Sequence, residues 1–201
     1  MVYSEKKMTD LEELVFLARA LGATDAKAIV TSEISVKEHL ARHCLEPGCE
    51  NYGLSMSCPP HVSGPSGFRQ LQNALKHAVV IRIEVAAAAL FSDERWEVFR
   101  MLHELVAAVE LAAVKMGYVQ SEAFAGGSCK KVFCRDRADC SAVSKSGKCR
   151  HPRHARPSMS GFGIDVAELM KSCGWPADIA VQDADAMSWI AGLVLIGPDP
   201  Q

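Results

Sequence analysis

No apolar run in this chain approaches the length of a membrane span, and none follows the basic Lys6-Lys7 pair near its start. The first absence excludes a helical membrane anchor. The second sets the expectation of a chain without a secretory leader. Charge of one sign is equally scarce: 22 lysines and arginines meet 24 aspartates and glutamates, a formal net charge of −2. A dedicated nucleic-acid binder carries a large basic excess, so that class is set aside. There is no internal repeat, low-complexity linker, P-loop, nucleophile elbow or dinucleotide fingerprint. "GFGIDV" (161–166) has no strand leading into it, and the glycines of "HVSGPSG" (61–67) read as turn residues rather than an anion cradle. The expectation is a soluble, cytoplasmic protein that binds neither membrane nor nucleic acid.

What the chain does have is cysteine, eight in 201 residues. A chain this long, 49% hydrophobic, buries a core without staples. Disulfides are also disfavoured in a reducing cytoplasm, so grouped cysteines read as metal ligands there. Seven of the eight stand in polar, Gly/Pro-rich loops. Cys173 is alone, beside Gly174 and Trp175, and reads as a buried free thiol.

The remainder alternates helices and strands, as in a single layered α/β or α+β domain over residues 1–201. Thr9 and Glu12 form a capping box before a helix that Gly22 stops. A strand over 25–36, a short helix over 36–43 and a helix over 67–78 follow, then a strand over 79–85 apolar enough for a sheet interior. The longest expected helix covers 92–117, capped by Ser92. Its stripe of Trp96, Phe99, Leu102, Val106, Val109, Ala113 and Met116 reads as core, with His103 at the edge. Strands over 118–125 and 188–197 and a helix over 163–174 complete the set, with the strands forming a central apolar sheet.

Two cysteine loops, 44–60 and 126–158, adjoin these elements about 70 residues apart, so one face can present both. The first group is Cys44-x4-Cys49-x8-Cys58; the second is Cys129-x4-Cys134-x5-Cys140-x8-Cys149. Short gaps let neighbouring thiolates converge at small loop-closure cost. Structural zinc favours paired ligands with gaps of about two to four residues, which neither group shows. Iron–sulfur clusters take more varied spacing, and Cys58-Pro59-Pro60 has the proline that follows a final ligand in bacterial ferredoxin motifs. One or two [4Fe–4S] clusters are therefore favoured over zinc.

The second loop has no apolar run to form a core, so a bound group is expected to stand in for one. Lys130, Lys131, Arg135, Arg137, Lys148, Arg150, Arg153 and Arg156 surround its thiols, and nearby cations lower thiol pKa values. Arg150, Arg153 and Arg156, restrained by Pro152 and Pro157, form a candidate anion pocket or outer shell. His151 and His154 are outer groups rather than ligands, and Tyr52 or His61 is a candidate outer-shell donor.

Two blocks carry a family resemblance. "YGLSMSCPP" resembles a Y-G-x-x-x-x-C-P-P signature, and "GKCRHPRHARPSMSGFGIDV" resembles a C-R-x-P…R-P-S-M-x-x-x-G-I-D-V block. Over about Cys44 to Ile196 the chain is similar to the cysteine-rich, predicted metal-binding family filed as domain of unknown function 2284. The resemblance implies a metal-binding protein of anaerobic bacteria and archaea, with an iron–sulfur cluster expected. The implied ligands are Cys44, Cys49, Cys58, Cys129, Cys134, Cys140 and Cys149. Two departures stand out: the second group's gaps are wider than the family's two-residue gaps, and Ser160 replaces a common acidic residue.

Three functions fit. One is an iron–sulfur protein that transfers electrons, or that uses an open cluster iron on a small substrate, with a redox protein or small anion as partner. Four cysteines complete one cubane, and three leave another with an iron lacking a protein ligand. The alternatives are a zinc-stabilised binding module and a metallochaperone or sensor. A single site shared by both loops remains a further arrangement of the ligands. Whether the chain is an enzyme stays open.

Overall fold

The computed structural model describes residues 2–45, 48–144, 147–177 and 186–198, with side chains from Asp10 onward. In chain order the elements are α1 (Val2–Ala20), β1 (Asp25–Val30), α2 (Glu38–Arg42), α3 (Gly64–Ala74), β2 (His77–Ala86), α4 (Ala87–Phe91), α5 (Arg95–Lys115), β3 (Glu122–Phe124), α6 (Cys129–Phe133), α7 (Val166–Ser172) and β4 (Met187–Ile196). Short 3-10 helices cover Thr31–Glu33 and Met159–Phe162. The strands form one sheet in the order β1-β2-β4-β3, every pair antiparallel, which makes this an α+β fold.

β2 and β4 pair along ten residues each, from His77↔Ile196 to Ala86↔Met187. Both are nearly continuous apolar runs because both sheet faces are covered. Val79, Ile81 and Ile83 of β2, with Ile190, Val194 and Ile196 of β4, point to α1 and α5. Ala78 and Val80, with Trp189, Ala191, Leu193 and Leu195, point the other way, to α3, α7 and the Met159–Phe162 turn. Alternation of the two faces from one residue to the next follows from the pleat.

The stripe expected on the long helix is largely core: Leu102, Val106, Val109 and Ala113 are buried, and Phe99 and Trp96 half-buried. His103, expected at the edge, is fully buried. Gly192 lets α5 approach β4. A Cβ there would lie 2.4 Å from Val106 Cγ1 and 3.0 Å from Leu102 Cδ1. Gly192→Val will therefore cost about 3 kcal/mol in denaturant unfolding, and Val106→Ala will recover part of it. A loss under about 0.5 kcal/mol would mean that the contact is not tight.

Several expected boundaries move. α1 already runs through Thr9, so the capping box does not start it; Thr9's side chain lies outside the described residues. Gly22 does end it, at φ +109°, with Ala23 N–H donating to Ala18 O (3.1 Å). The strand expected over 25–36 stops at Val30, because Thr31 turns inward to donate its hydroxyl to Leu75 O at 2.7 Å. The helix expected over 67–78 occupies Gly64–Ala74. The helix expected over 92–117 is α5 and begins at Arg95, after the separate helix α4 has ended at Phe91. Ser92 ends α4, and its Oγ accepts the Glu94 N–H at 3.2 Å. The strand expected over 118–125 is paired only at 122–124, since Tyr118–Ser121 close a turn, Ser121 N–H to Tyr118 O at 3.0 Å.

Candidate metal centre

The second cysteine loop leaves the sheet at the β3 edge, and the first is bonded to it there. The first joins α2 to α3; the second joins β3 to the Met159–Phe162 turn. Beneath them Phe68, Phe124 and Phe162 form an aromatic floor, their centroids 5.0 to 6.0 Å apart. Ala125 N–H donates to Pro157 O (2.9 Å), Met159 N–H to Ala125 O (3.0 Å) and Ser158 N–H to Ser57 O (3.0 Å). The last bond ties the loops together immediately beside Cys58.

The two motif blocks are the parts that do this stapling. In "SMSC" Ser55, Ser57 and Cys58 are buried, and the Ser55 and Ser57 hydroxyls lie 2.9 Å apart. In "GFGIDV" Gly163, at φ +71°, accepts Lys37 N–H at 2.8 Å. A Cβ on it would lie 2.5 Å from Lys37 O. Asp165 caps α7 by accepting Glu168 N–H at 3.0 Å, and Lys37 Nζ bridges Asp165 and Glu168 at 2.8 and 2.7 Å. The Lys37 pKa is raised by the Asp165 and Glu168 bonds. These bonds fix the chain entering the first loop.

Six of the seven loop cysteines line two cavities that meet along residues 56–59. Cys44, Cys49 and Cys58 line one of about 110 Å³, walled by Gly127, Ser128 and Ser160. Cys129, Cys140 and Cys149 line the other, about 450 Å³, with Ser57, His61, Glu122 and Arg156. Cys129 stands between the groups, with Cys58 and Cys149 as neighbours. Cys134, expected with the second group, lines neither cavity. Tyr52 lies in the smaller cavity and His61 in the larger, where its Nε2 is 3.3 Å from Gly53 O. Among the described residues no three His, Cys, Asp or Glu side chains converge closely enough to grip a single ion.

Polar groups are aimed at the sulfurs. Asn51 Nδ2 lies 3.8 Å from Cys49 Sγ, and His151 N–H 3.3 Å from Cys149 Sγ. Burial acts to raise the Cys140 thiol, but the N–H groups of Met56, Val143 and Ala142, with Arg150, hold it below its ordinary value. Burial pushes Cys129 up to about 11 against bonds from Ser57 and Ser55, and the charges of Cys58 and Cys149 add to the rise. Cys44 is raised by burial, then by Cys49 and Cys58. Burial also pushes Cys173 up to about 12, in the core below α7, where its carbonyl accepts Lys27 Nζ at 3.1 Å.

The structure does not gather the three arginines. Arg150 pairs with Asp139 (3.2 Å), which raises its pKa, and Cys134 adds to the rise. Arg153 is exposed. Arg156 is buried, its guanidinium gripping Glu110 Oε2 and donating to Pro152 O and Ala155 O at 3.2 and 2.9 Å. Lys130, expected as a flanking cation, is a buried clip donating to Cys134 O (3.1 Å) and Arg137 O. Glu122 rises through burial and the Glu110 charge.

The loop also has more core than its sequence suggests. Val132 is buried, and Phe133 stacks on His151 (5.3 Å) and meets His103 edge-on (5.5 Å) and Arg100 (5.4 Å). Two apolar residues suffice because α5 supplies the other wall, which periodicity within the loop does not reveal. From Cys134 to Cys149 none of the described residues is buried.

His103 holds this wall: its Nδ1 accepts the Arg156 N–H at 3.2 Å. Burial first, then Arg156, pushes its pKa down to about 4. A base with a folded pKa below its unfolded value takes up a proton on unfolding. Its contribution is therefore full above about pH 6.5 and is lost towards pH 4, about 3 kcal/mol in all. His103→Phe will flatten the stability profile over that interval; an unchanged slope would refute this assignment.

Thiols are soft donors suited to zinc and iron–sulfur groups, and the pockets present them with N–H donors already aimed at sulfur. The chain matches, over residues 27–196, the family model described as predicted metal-binding protein (DUF2284). It belongs to that family. No curated protein and no solved structure matches it. No helix among the described residues is long and apolar enough to cross a membrane.

Proposed function

We infer that this is a cytoplasmic iron–sulfur protein whose two cysteine loops hold [4Fe–4S] clusters. Cys44, Cys49 and Cys58 hold one that is open at one iron; Cys129, Cys134, Cys140 and Cys149 hold the other. Such clusters supply one-electron chemistry and, at an open iron, a place for a small substrate. The observation that carries the reading is the pair of adjacent cavities, each with three cysteines in its lining. The smaller has room for several water-sized bodies, more than one bare ion fills. The chain's own part is to orient the sulfurs through Asn51, His151 and the Met56 and Val143 N–H groups, and to keep Cys44 and Cys58 partly or wholly from water.

Anaerobically prepared protein should be brown, with absorption near ~400 nm and about eight irons and eight acid-labile sulfides per chain. About four of each after full reconstitution would leave one cluster, drawing on both loops through Cys129. Stoichiometric zinc without sulfide would sink the iron–sulfur reading, since a d¹⁰ ion gives no such band.

A further inference from the structure

Of the thirteen large apolar side chains exposed among the described residues, five stand in the two cysteine loops. Leu45, Tyr52, Leu54 and Met56 fall within twelve residues of the first loop and Val143 in the second, each between 41% and 53% exposed. The loops lie side by side there. The N–H groups of Met56 and Val143 reach the same thiol, that of Cys140, and Lys131 Nζ lies 3.3 Å from Glu50 Oε2. Cys49, the most exposed cysteine class of the eight, belongs to the same stretch. Side chains of this size grouped in water mark an interaction site when a polar rim surrounds them.

The rim here is predominantly basic. Residues 126–158 carry nine lysines and arginines against two aspartates, although the whole chain is at −2. Arg135, Arg137 and Arg150 have acidic neighbours but stay at least a third exposed. Lys148 and Arg153 are exposed with no ion pair among the described residues. An apolar centre with a basic border suits a protein surface of opposite charge better than a phosphate backbone, whose contacts need cations at the centre.

We propose that Leu45, Tyr52, Leu54, Met56 and Val143, bordered by the basic second loop, form the docking surface for a small acidic ferredoxin. The partner's redox role rests on the iron–sulfur reading above; the surface itself rests on exposure and charge. Its position puts the partner beside Cys49, the exposed cysteine that lines the first cavity. A transient carrier needs only a small interface, and charge complementarity sets the encounter rate and its salt dependence.

The test is calorimetric titration of the metal-loaded full chain with an acidic [2Fe–2S] ferredoxin. Binding should be saturable and weaken about tenfold or more as ionic strength rises from about 0.02 to 0.2 M. Leu45→Asp with Leu54→Asp should weaken it about tenfold or more, with iron and sulfide unchanged. Lys148→Glu with Arg153→Glu, which touches no buried group, should do the same and covers the event that the first pair disturbs the loop. Phe16→Ser with Val119→Ser, exposed elsewhere, should leave it unchanged. No binding at millimolar ferredoxin, equal weakening by the Phe16/Val119 pair, or preference for a single-stranded RNA would each overturn the proposal. A sulfide-free protein that still binds ferredoxin on this face would sink the cluster reading and leave the surface standing. A cluster-bearing protein that ignores ferredoxin does the reverse.

Discussion

Cys129→Ser will cost the protein more bound metal than Cys44→Ser or Cys134→Ser, because only Cys129 stands between the two groups of thiols, beside both Cys58 and Cys149. If two centres exist, iron and sulfide should fall by about half, with the first cavity keeping its share. If both loops serve one centre, the loss will be near complete. None of the described residues from Cys134 to Cys149 is buried, so the protease resistance of this stretch should fall with the metal. Cys173→Ser should leave metal content intact, since that thiol sits in the core away from both cavities. Iron content unchanged across Cys129→Ser and Cys149→Ser would remove the second loop from the site. The pH dependence has a definite sign. With its thiol pushed up to about 11, Cys129 is protonated at neutrality and must release a proton to bind metal. Metal affinity will therefore rise with pH, about tenfold per unit for each proton released.

The layers of this fold were legible because β2 and β4 are apolar on both faces and α5 carries a helical stripe. Composition and period speak directly to such elements. The antiparallel order was not legible, since no local signal ties β2 to a strand more than a hundred residues away. The boundaries that moved did so for side-chain reasons. Thr31 leaves the sheet to bond Leu75, and Ser92 closes one helix before the next begins. Both choices depend on partners that only the folded chain supplies.

Of the candidate site, the cysteines could be read from spacing, and the shared face from the elements that flank them. The meaning of the arginines could not. A run of cations looks alike whether it faces solvent or a buried carboxylate, and Glu110 lies 46 residues from Arg156. The same holds for His103, whose place in the core follows from the loop folding back on α5. A hint was present in "PRHARPSM": the prolines that looked like restraint on an anion pocket instead hold carbonyls towards Ala125 and Arg156.

Arg156→Leu will be the most damaging single change outside the cysteines and the glycines. Glu110 accepts the Ala123 N–H on Oε1 (2.8 Å) and the Arg156 guanidinium on Oε2, so one pair joins α5, β3 and the end of the second cysteine loop. Their side chains are only 13% and 9% exposed. Removing the cation strands a nearly buried carboxylate, and it frees Pro152 O and Ala155 O as well. The cost should be about 3–5 kcal/mol, against about 1 kcal/mol for an exposed pair. Arg156→Lys should recover only part, because an ammonium cannot reach Glu110 and two carbonyls in the same fork. Glu110→Gln in the Arg156→Leu background should restore stability, since a neutral amide still accepts the Ala123 N–H without a stranded charge. Denaturant unfolding of the wild type, Glu110→Gln, Arg156→Leu and the double variant gives the coupling directly. A loss below about 1 kcal/mol in Arg156→Leu, or no recovery in the double variant, would show that the second loop is held to α5 by Phe133 and His103 alone.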